Sequence, residues 1–311
     1  MSEPPWRRKI LLYKASIVYL TSLQSGIILR MRRFKVPFIF FLFFSFLTAF
    51  LIFKYIEFSN IPTLSDVVTN ALNGSNGTYA VAVKNLKTNE SYYFNEKKEF
   101  DSASLYKIWV LAETKRQVNN GQIKEDEVLS EDIVSLNKKF DIASDSAELT
   151  EGTATLSVRD AMRQMITISH NYAALLLTEK VGLSKVSAFA KQNGFEDTSF
   201  DGAPKTTAFD VALFFEKIYK GEIVDKKSSS EMLTLFKNQK LNDKLPKYLP
   251  QGIDLAHKTG EISSFSHDGG IVFGKKSDYV IVILSRTDYP PLAEERIAKI
   301  SKSVFDYFEN K

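Results

Sequence analysis

The chain contains no cysteine. Disulfides, thiolate metal sites, a cysteine nucleophile and a lipid-modified cysteine are all excluded, and folding does not depend on the redox compartment. Histidine is nearly as scarce, with three in 311 residues. His257 and His267 show neither H-x-x-x-H nor H-E-x-x-H spacing, so no metal is expected, and no cofactor is expected either. Internal repeats and low-complexity tracts are missing. A basic globular part is missing too, although the whole chain carries a formal +4. Nine of the 41 Lys/Arg and two of the 37 Asp/Glu fall within residues 1–60, which leaves 32 and 35 for the remainder, a net of −3. A nucleic-acid partner is therefore not expected. With 44% hydrophobic and 25% charged residues, the chain has ample material for a core.

Charge is absent altogether from residues 36–53, "VPFIFFLFFSFLTAFLIF". As a helix these 18 residues would span about 27 Å, enough for a bilayer core. Arg30, Arg32, Arg33 and Lys35 precede them, and only Lys54 and Glu57 follow closely. The positive-inside rule then predicts a basic cytoplasmic tail over 1–35, a single transmembrane anchor over 36–53 and a linker over 54–63. The domain over 64–311 would lie on the outer face of the cell membrane. A cleavable signal peptide is the alternative; the length of the apolar stretch and the lack of an A-x-A site stand against it. Residues 1–30 are weakly apolar and interrupted by Lys14, and Met31 followed by "RRFK" has the form of a natural start. Those 30 residues are read as a cytoplasmic tail or as a stretch ahead of the true start.

Beyond the linker, "GTYAVAVKNLKTNESYYFN" (77–95) alternates around turn residues and reads as a hairpin. A helix follows from about residue 102, with Asp101 or Ser102 as its cap and Gly121 as its stop. Helical stripes recur over 156–168, from Tyr172 to Gly182, over 184–193 and over 207–220. From residue 255 strand patterns return as "LAHKTGEI", "GGIVFGKK" and "DYVIVILSR", and 293–309 is a closing amphipathic helix. Strands open and close the domain and helices fill its middle. The predicted class is α+β: an antiparallel sheet whose first and last strands are neighbours, flanked by helices, with a helical subdomain.

Three short motifs bear on chemistry. Ser104-Leu-Tyr-Lys107 places a serine and a lysine three residues apart at a helix N-terminus, where they share a face. A desolvated lysine loses basicity and can take the serine's proton. Taken alone the pattern is cheap, since Ser135-Leu-Asn-Lys138 repeats it in a polar stretch expected to be loop, and a snorkelling lysine is the bland reading. Ser169-His170-Asn171 lies between two helices, where Ser169 could relay a proton and Asn171 bind an amide; helix capping is the bland reading. His257-Lys258-Thr259-Gly260 follows a strand pattern. Lys258 and Thr259 on an edge strand can bind a carboxylate, and Gly260 would let a ligand approach the backbone.

Together, S-x-x-K, S-x-N and K-T-G resemble the set found in class A β-lactamases and penicillin-binding proteins. The resemblance extends through "LSVRDAMRQMITISHNYAALLLTEKVG", "KTTAFDVALFF" and "HKTG...SHDGGIVF" and covers residues 62–309. It implies that fold and an acyl-enzyme mechanism. Ser104 would be the nucleophile, Lys107 its base and Ser169 the second-motif serine. Asn171 would contact the substrate amide, and Lys258 and Thr259 its carboxylate. Backbone N–H groups of Ser104 and of Glu261, the residue after K-T-G, would form the oxyanion hole.

Two departures matter. The resemblance calls for an E-x-x-L-N loop whose glutamate activates the deacylating water, yet "NGFEDTSFDGAPKTTA" (193–208) lacks it. Glu196, Asp197 and Asp201 are the nearby carboxylates, with Asp201 the best substitute by position. The middle of S-x-N is His170 rather than the usual Asp, read as structural. Three functions remain open: a membrane-anchored class A β-lactamase-type hydrolase slowed in deacylation, a D-alanyl-D-alanine peptidase of the penicillin-binding type, or a catalytically idle cell-wall-binding module. The expected partners are a β-lactam or cell-wall peptide and, through 36–53, a membrane.

Overall fold

The computed structural model describes residues 43–52 and 62–311. Residues 43–52 are helical; the rest of the expected anchor, the tail and the linker up to residue 61 lie outside the described residues. Among the described residues no helix is long and apolar enough to cross a membrane. The chain divides into two units, Met1–Ile61 and Pro62–Lys311.

The second unit opens with α1 (Leu64–Leu72), started by a capping box in which Thr63 and Asp66 bond each other's backbone. Then come β1 (Thr78–Asn85) and β2 (Ser91–Phe94), the expected hairpin, with Val81 opposite Phe94. The closing strands are β7 (Asp254–Ile262), β8 (Phe265–Phe273) and β9 (Asp278–Arg286), followed by α9 (Pro290–Asn310). The five strands form one antiparallel sheet in the order β2-β1-β9-β8-β7. First and last strands are neighbours as the patterns predict, and β7 with its K-T-G is an edge.

Side chains alternate across each strand, so the sheet serves two cores. Tyr79, Val81, Val83, Ile281 and Ile283 pack with α1 and α9, while Ala80, Ala82, Val280, Val282 and Leu284 pack towards the helical half. Burial on both faces explains why "YVIVIL" is continuously apolar in an antiparallel sheet. Each such residue contributes about 1.5–3 kcal/mol of burial free energy.

The helical half holds α2 (Lys107–Asn119), α3 (Ile133–Lys139), α4 (Val158–Thr167), α5 (Asn171–Val181), α6 (Leu183–Gln192), α7 (Ala208–Lys220) and α8 (Lys226–Lys237). Short ribbons β4 (Val128–Asp132) with β5 (Thr153–Ser157), and β3 (Phe100–Asp101) with β6 (Lys205–Thr206), tie its loops. Trp109 of α2 lies at its centre, edge-on to Phe195, Phe200 and Phe214. Two expectations change. The stretch Ala103–Tyr106 is a 3-10 turn with no side-chain cap from Ser102, and the α-helix begins at Lys107. Asp101 instead accepts from the Ala103 N–H at 3.0 Å, which pins the turn. The second S-x-x-K is not loop but the short helix α3, capped by Asp132.

Candidate active site

Three elements supply the motifs. The 3-10 turn carries Ser104, α2 begins with Lys107, and β7 lies alongside with Lys258, Thr259 and Gly260. Gly260 accounts for that closeness: a Cβ there would meet the Ser102 carbonyl oxygen at 3.1 Å and the Leu105 nitrogen at 3.3 Å. The glycine thus lets the serine-bearing turn lie on the edge strand. Ala103, just before Ser104, has φ +43°, a left-handed conformation costly for a residue with a Cβ. Ser104 is half-buried, and among the described residues its hydroxyl has no hydrogen-bond partner.

Ser169 lies in the bend between α4 and α5, again with positive φ, +59°. The cap of α5 is His170, whose Nδ1 accepts from the Ala173 N–H at 3.2 Å. That division of labour frees the neighbours: Ser169 and Asn171 both face Lys107. Lys107 is fully buried, and its Nζ donates to the Ser169 carbonyl and to Asn171 Oδ1 at 2.6 Å each, with Ser169 Oγ at 3.3 Å. Lys258, equally buried, donates from Nζ to Ser169 Oγ at 2.9 Å and to the Thr259 carbonyl at 2.7 Å. Two lysines therefore converge on one hydroxyl. Burial pushes Lys107 down to about 7, against the opposing pull of the Glu148 carboxylate. Burial, reinforced by the Lys107 charge, pushes Lys258 well below the usual lysine range.

Glu148 belongs to no motif, and no pattern in the sequence marks it as part of the site. Its Oε1 accepts from Asn171 Nδ2 at 2.5 Å, so the chain Lys107–Asn171–Glu148 runs from buried amine to exposed carboxylate. The only sequence signal is an acid in a polar stretch upstream of S-x-N. Glu261 is half-exposed and pairs with Lys244, which is itself buried. Among the described residues Asp201 makes no bond to the cluster. The backbones of Ser199 and Lys205 bond each other at 3.0 Å both ways, and this tight turn leaves Asp201 exposed at its tip. Glu196 shares that loop, and Asp197 there is paired with Lys97.

Behind the cluster, His267 of β8 is fully buried. Its Nε2–H donates to the Asp101 carbonyl at 2.8 Å and its Nδ1 accepts from the Ser285 N–H at 3.1 Å. Burial lowers its pKa to about 4, so it is a neutral strut under the turn. On the other face of the sheet, His257 Nδ1 and Asp268 Oδ1 are 2.9 Å apart in the core. Among the described residues no group of three or more His, Asp or Glu could hold a metal ion.

The family profile described as "Beta-lactamase enzyme family" matches residues 63–308. Among curated proteins no relative matches. Among solved structures, PBP-A is similar at 24% identity and TM-score 0.71, over 80% of this chain and 96% of that one. A variant of PBP-A solved as an acyl-enzyme complex with penicillin G is similar at 23% identity and TM-score 0.71, over 80% and 96%. A β-lactamase from Sphaerobacter thermophilus is similar at 20% identity and TM-score 0.70, over 80% and 97%.

Proposed function

The chain belongs to the beta-lactamase enzyme family as a serine hydrolase of the β-lactamase type, and from that footing we propose that Ser104 forms an acyl-enzyme with a β-lactam or a D-alanyl-D-alanine-ended peptide. The observation that carries the reading is the convergence of Lys107, three residues after Ser104, and Lys258 on the Ser169 hydroxyl.

As a neutral amine Lys107 has two N–H groups and one lone pair. The Ser169 carbonyl and Asn171 Oδ1 take the two N–H groups. The remaining lone pair is the base for the Ser104 hydroxyl, three residues back in the chain. As Ser104 Oγ attacks the carbonyl carbon, its proton passes to Lys107. The Ser169 hydroxyl, held between the two amines, hands a proton to the leaving nitrogen and is resupplied from Lys107. Backbone N–H groups of Ser104 and Glu261 face the developing oxyanion, where donors are most effective. Lys258 and Thr259 receive the substrate carboxylate, and Asn171 Nδ2 the acyl-side amide carbonyl.

The peptidase-type reading is favoured by one observation: Asp201 sits exposed in its loop and among the described residues bonds to neither lysine. No carboxylate of the 193–208 loop is bonded to Lys107, Ser169 or Asn171 among the described residues. Deacylation is then slow, in line with a PBP-A variant having been solved as a penicillin G acyl-enzyme. The charge-free segment 36–53 and the basic residues before it support a membrane anchor with this domain outside the cytoplasm. Intact-mass spectrometry of the protein with benzylpenicillin over time tests the chemistry. An adduct on Ser104 is expected, and unmodified mass at every time point, with the penicillin unconsumed, would refute it.

A further inference from the structure

Asn171 has one side-chain acceptor and one side-chain nitrogen. The acceptor is committed to Lys107, and the nitrogen donates to Glu148. On the reading above, that nitrogen is the donor a substrate amide needs. That nitrogen carries two N–H groups, and the one not given to Glu148 is left for a substrate amide carbonyl, so a bound acyl group lies beside the carboxylate.

The carboxylate is built into place. Leu149, the next residue, donates its N–H to the Tyr172 hydroxyl at 3.1 Å, and its carbonyl accepts from Asn137 Nδ2 at 2.8 Å. Tyr172 and Asn137 are both buried, so the backbone beside Glu148 is anchored while its side chain is exposed and bonded to Asn171. Glu148 and Asn171 stand at a cavity of about 160 Å³ whose apolar walls are Tyr106, Ile142, Tyr172 and Leu175. The loop 141–151 that lines this side of the cleft also carries Asp141, Asp145 and Glu151 and has no Lys or Arg.

We propose that Glu148 is a specificity-determining residue that selects substrates carrying a cationic group on the acyl side of the scissile carbonyl. The proposal rests on the acyl-enzyme reading, because it takes Asn171 Nδ2 as the amide donor. An ammonium near the cavity mouth gives the exposed Glu148 carboxylate a partner of opposite charge while its bond to Asn171 is kept. A neutral side chain gains no such partner, and an anionic one meets repulsion from the carboxylate.

The test compares second-order acylation constants for ampicillin, which carries an ammonium on its side chain, and carbenicillin, which carries a carboxylate there. For a solvent-exposed contact of opposite sign in the two cases, the ampicillin-to-carbenicillin ratio should fall about tenfold in Glu148→Gln and further in Glu148→Lys. An unchanged ratio in all three proteins overturns the proposal. Should neither compound acylate, the acyl-enzyme reading fails. Calorimetric binding of the same two compounds to Ser104→Ala and to Ser104→Ala with Glu148→Gln then decides the role of Glu148 separately. A binding ratio that drops on removing the carboxylate supports it, and equal ratios or no binding by either compound overturn it.

Discussion

Lys258 Nζ donates a 2.9 Å hydrogen bond to Ser169 Oγ, joining the edge strand to the bend between two helices. That contact, with Lys107 on the other side of the same hydroxyl, places two amines in a volume too dry for two charges. Burial lowers both, and among the described residues the carboxylate whose charge opposes the fall at Lys107 is Glu148. The cluster is therefore poised to pass a proton among Lys107, Ser169 and Lys258 rather than to hold a fixed ion pair.

Acylation should follow the free amine of Lys107. Below about 7 the amine is protonated and has no lone pair, so the acylation constant for benzylpenicillin should rise with pH through about 7 and level off above it. The charged groups facing Lys107 are Lys258 and Glu148, with Ser169 and Asn171 as neutral partners. Lys107→Ala should lose about 10²–10⁴-fold, the usual worth of a positioned proton acceptor, and Ser104→Ala should lose labelling by a fluorescent penicillin entirely. Labelling retained in Ser104→Ala would move the nucleophile elsewhere, with Ser135 first in line. A flat pH profile from 5 to 9 would remove Lys107 as the base.

Ser169 holds a left-handed backbone at φ +59° in order to aim its hydroxyl at the two lysines. Ser169→Gly and Ser169→Ala both delete the hydroxyl, but only glycine relieves the backbone. Both should lose acylation, and the glycine variant should be more stable than the alanine variant by about 1 kcal/mol in urea unfolding. Equal stabilities would mean the backbone there is not strained.

The global order of elements is readable in the sequence because the sheet is long-stranded and the helices are well stopped, as at Gly221, which ends α7 in a left-handed conformation. Each motif is readable because its own residues lie within four positions of one another, as Ser104 and Lys107 do. What escapes depends on tertiary contact. Glu148 meets Asn171 from 23 residues away, in a loop with no periodicity. The two-residue strands β3 and β6 exist only because Phe100 faces Thr206. Gly260 has the look of a ligand-facing glycine, yet its neighbours are Ser102 and Leu105, on an element distant in sequence. The helix α1 does carry a local signal, since Thr63 and Asp66 have capping-box spacing, but it falls where a linker is expected to end.

Gly260→Ala tests the packing of the serine turn. Its Cβ would lie 3.1 Å from the Ser102 carbonyl oxygen and 3.3 Å from the Leu105 nitrogen, and backbone atoms cannot swing aside. The turn must shift off β7, at about 1–3 kcal/mol. Both the thermal midpoint and the acylation constant should fall. Wild-type acylation in this variant would show that the turn does not need the strand.

His267 links stability to acid. Its pKa is about 4 in the folded protein against 6.5 for the free side chain. Between those values the unfolded chain binds more protons, so stability is fully present above about 6.5. It declines as the pH falls and loses nothing more from this group below about 4. The whole shift corresponds to about 3 kcal/mol. Urea unfolding of the parent and of His267→Gln from pH 7.5 to 4.5 isolates the effect, because other titrating groups are common to both. The parent should lose more stability on acidification; parallel curves would show that the imidazole is not held neutral.

The fate of the adduct separates the two hydrolase readings. The tight turn closed by Ser199 and Lys205 keeps Asp201 exposed at its tip, with no bond to Lys107, Ser169 or Asn171 among the described residues. A water attacking the Ser104 ester would therefore lack a base from this loop. Loss of general-base help slows such a step by about 10²–10⁴-fold. The penicilloyl adduct should persist for minutes or longer, and Asp201→Asn should leave its lifetime unchanged, as read by intact mass after excess benzylpenicillin is removed. A short lifetime that lengthens in Asp201→Asn would mean the loop rearranges on acylation and supplies the base. Rapid clearance in both proteins would place the base elsewhere. Lys107 would be the first group to test then, since after acylation its amine still lies beside the ester oxygen and is free to deprotonate an incoming water.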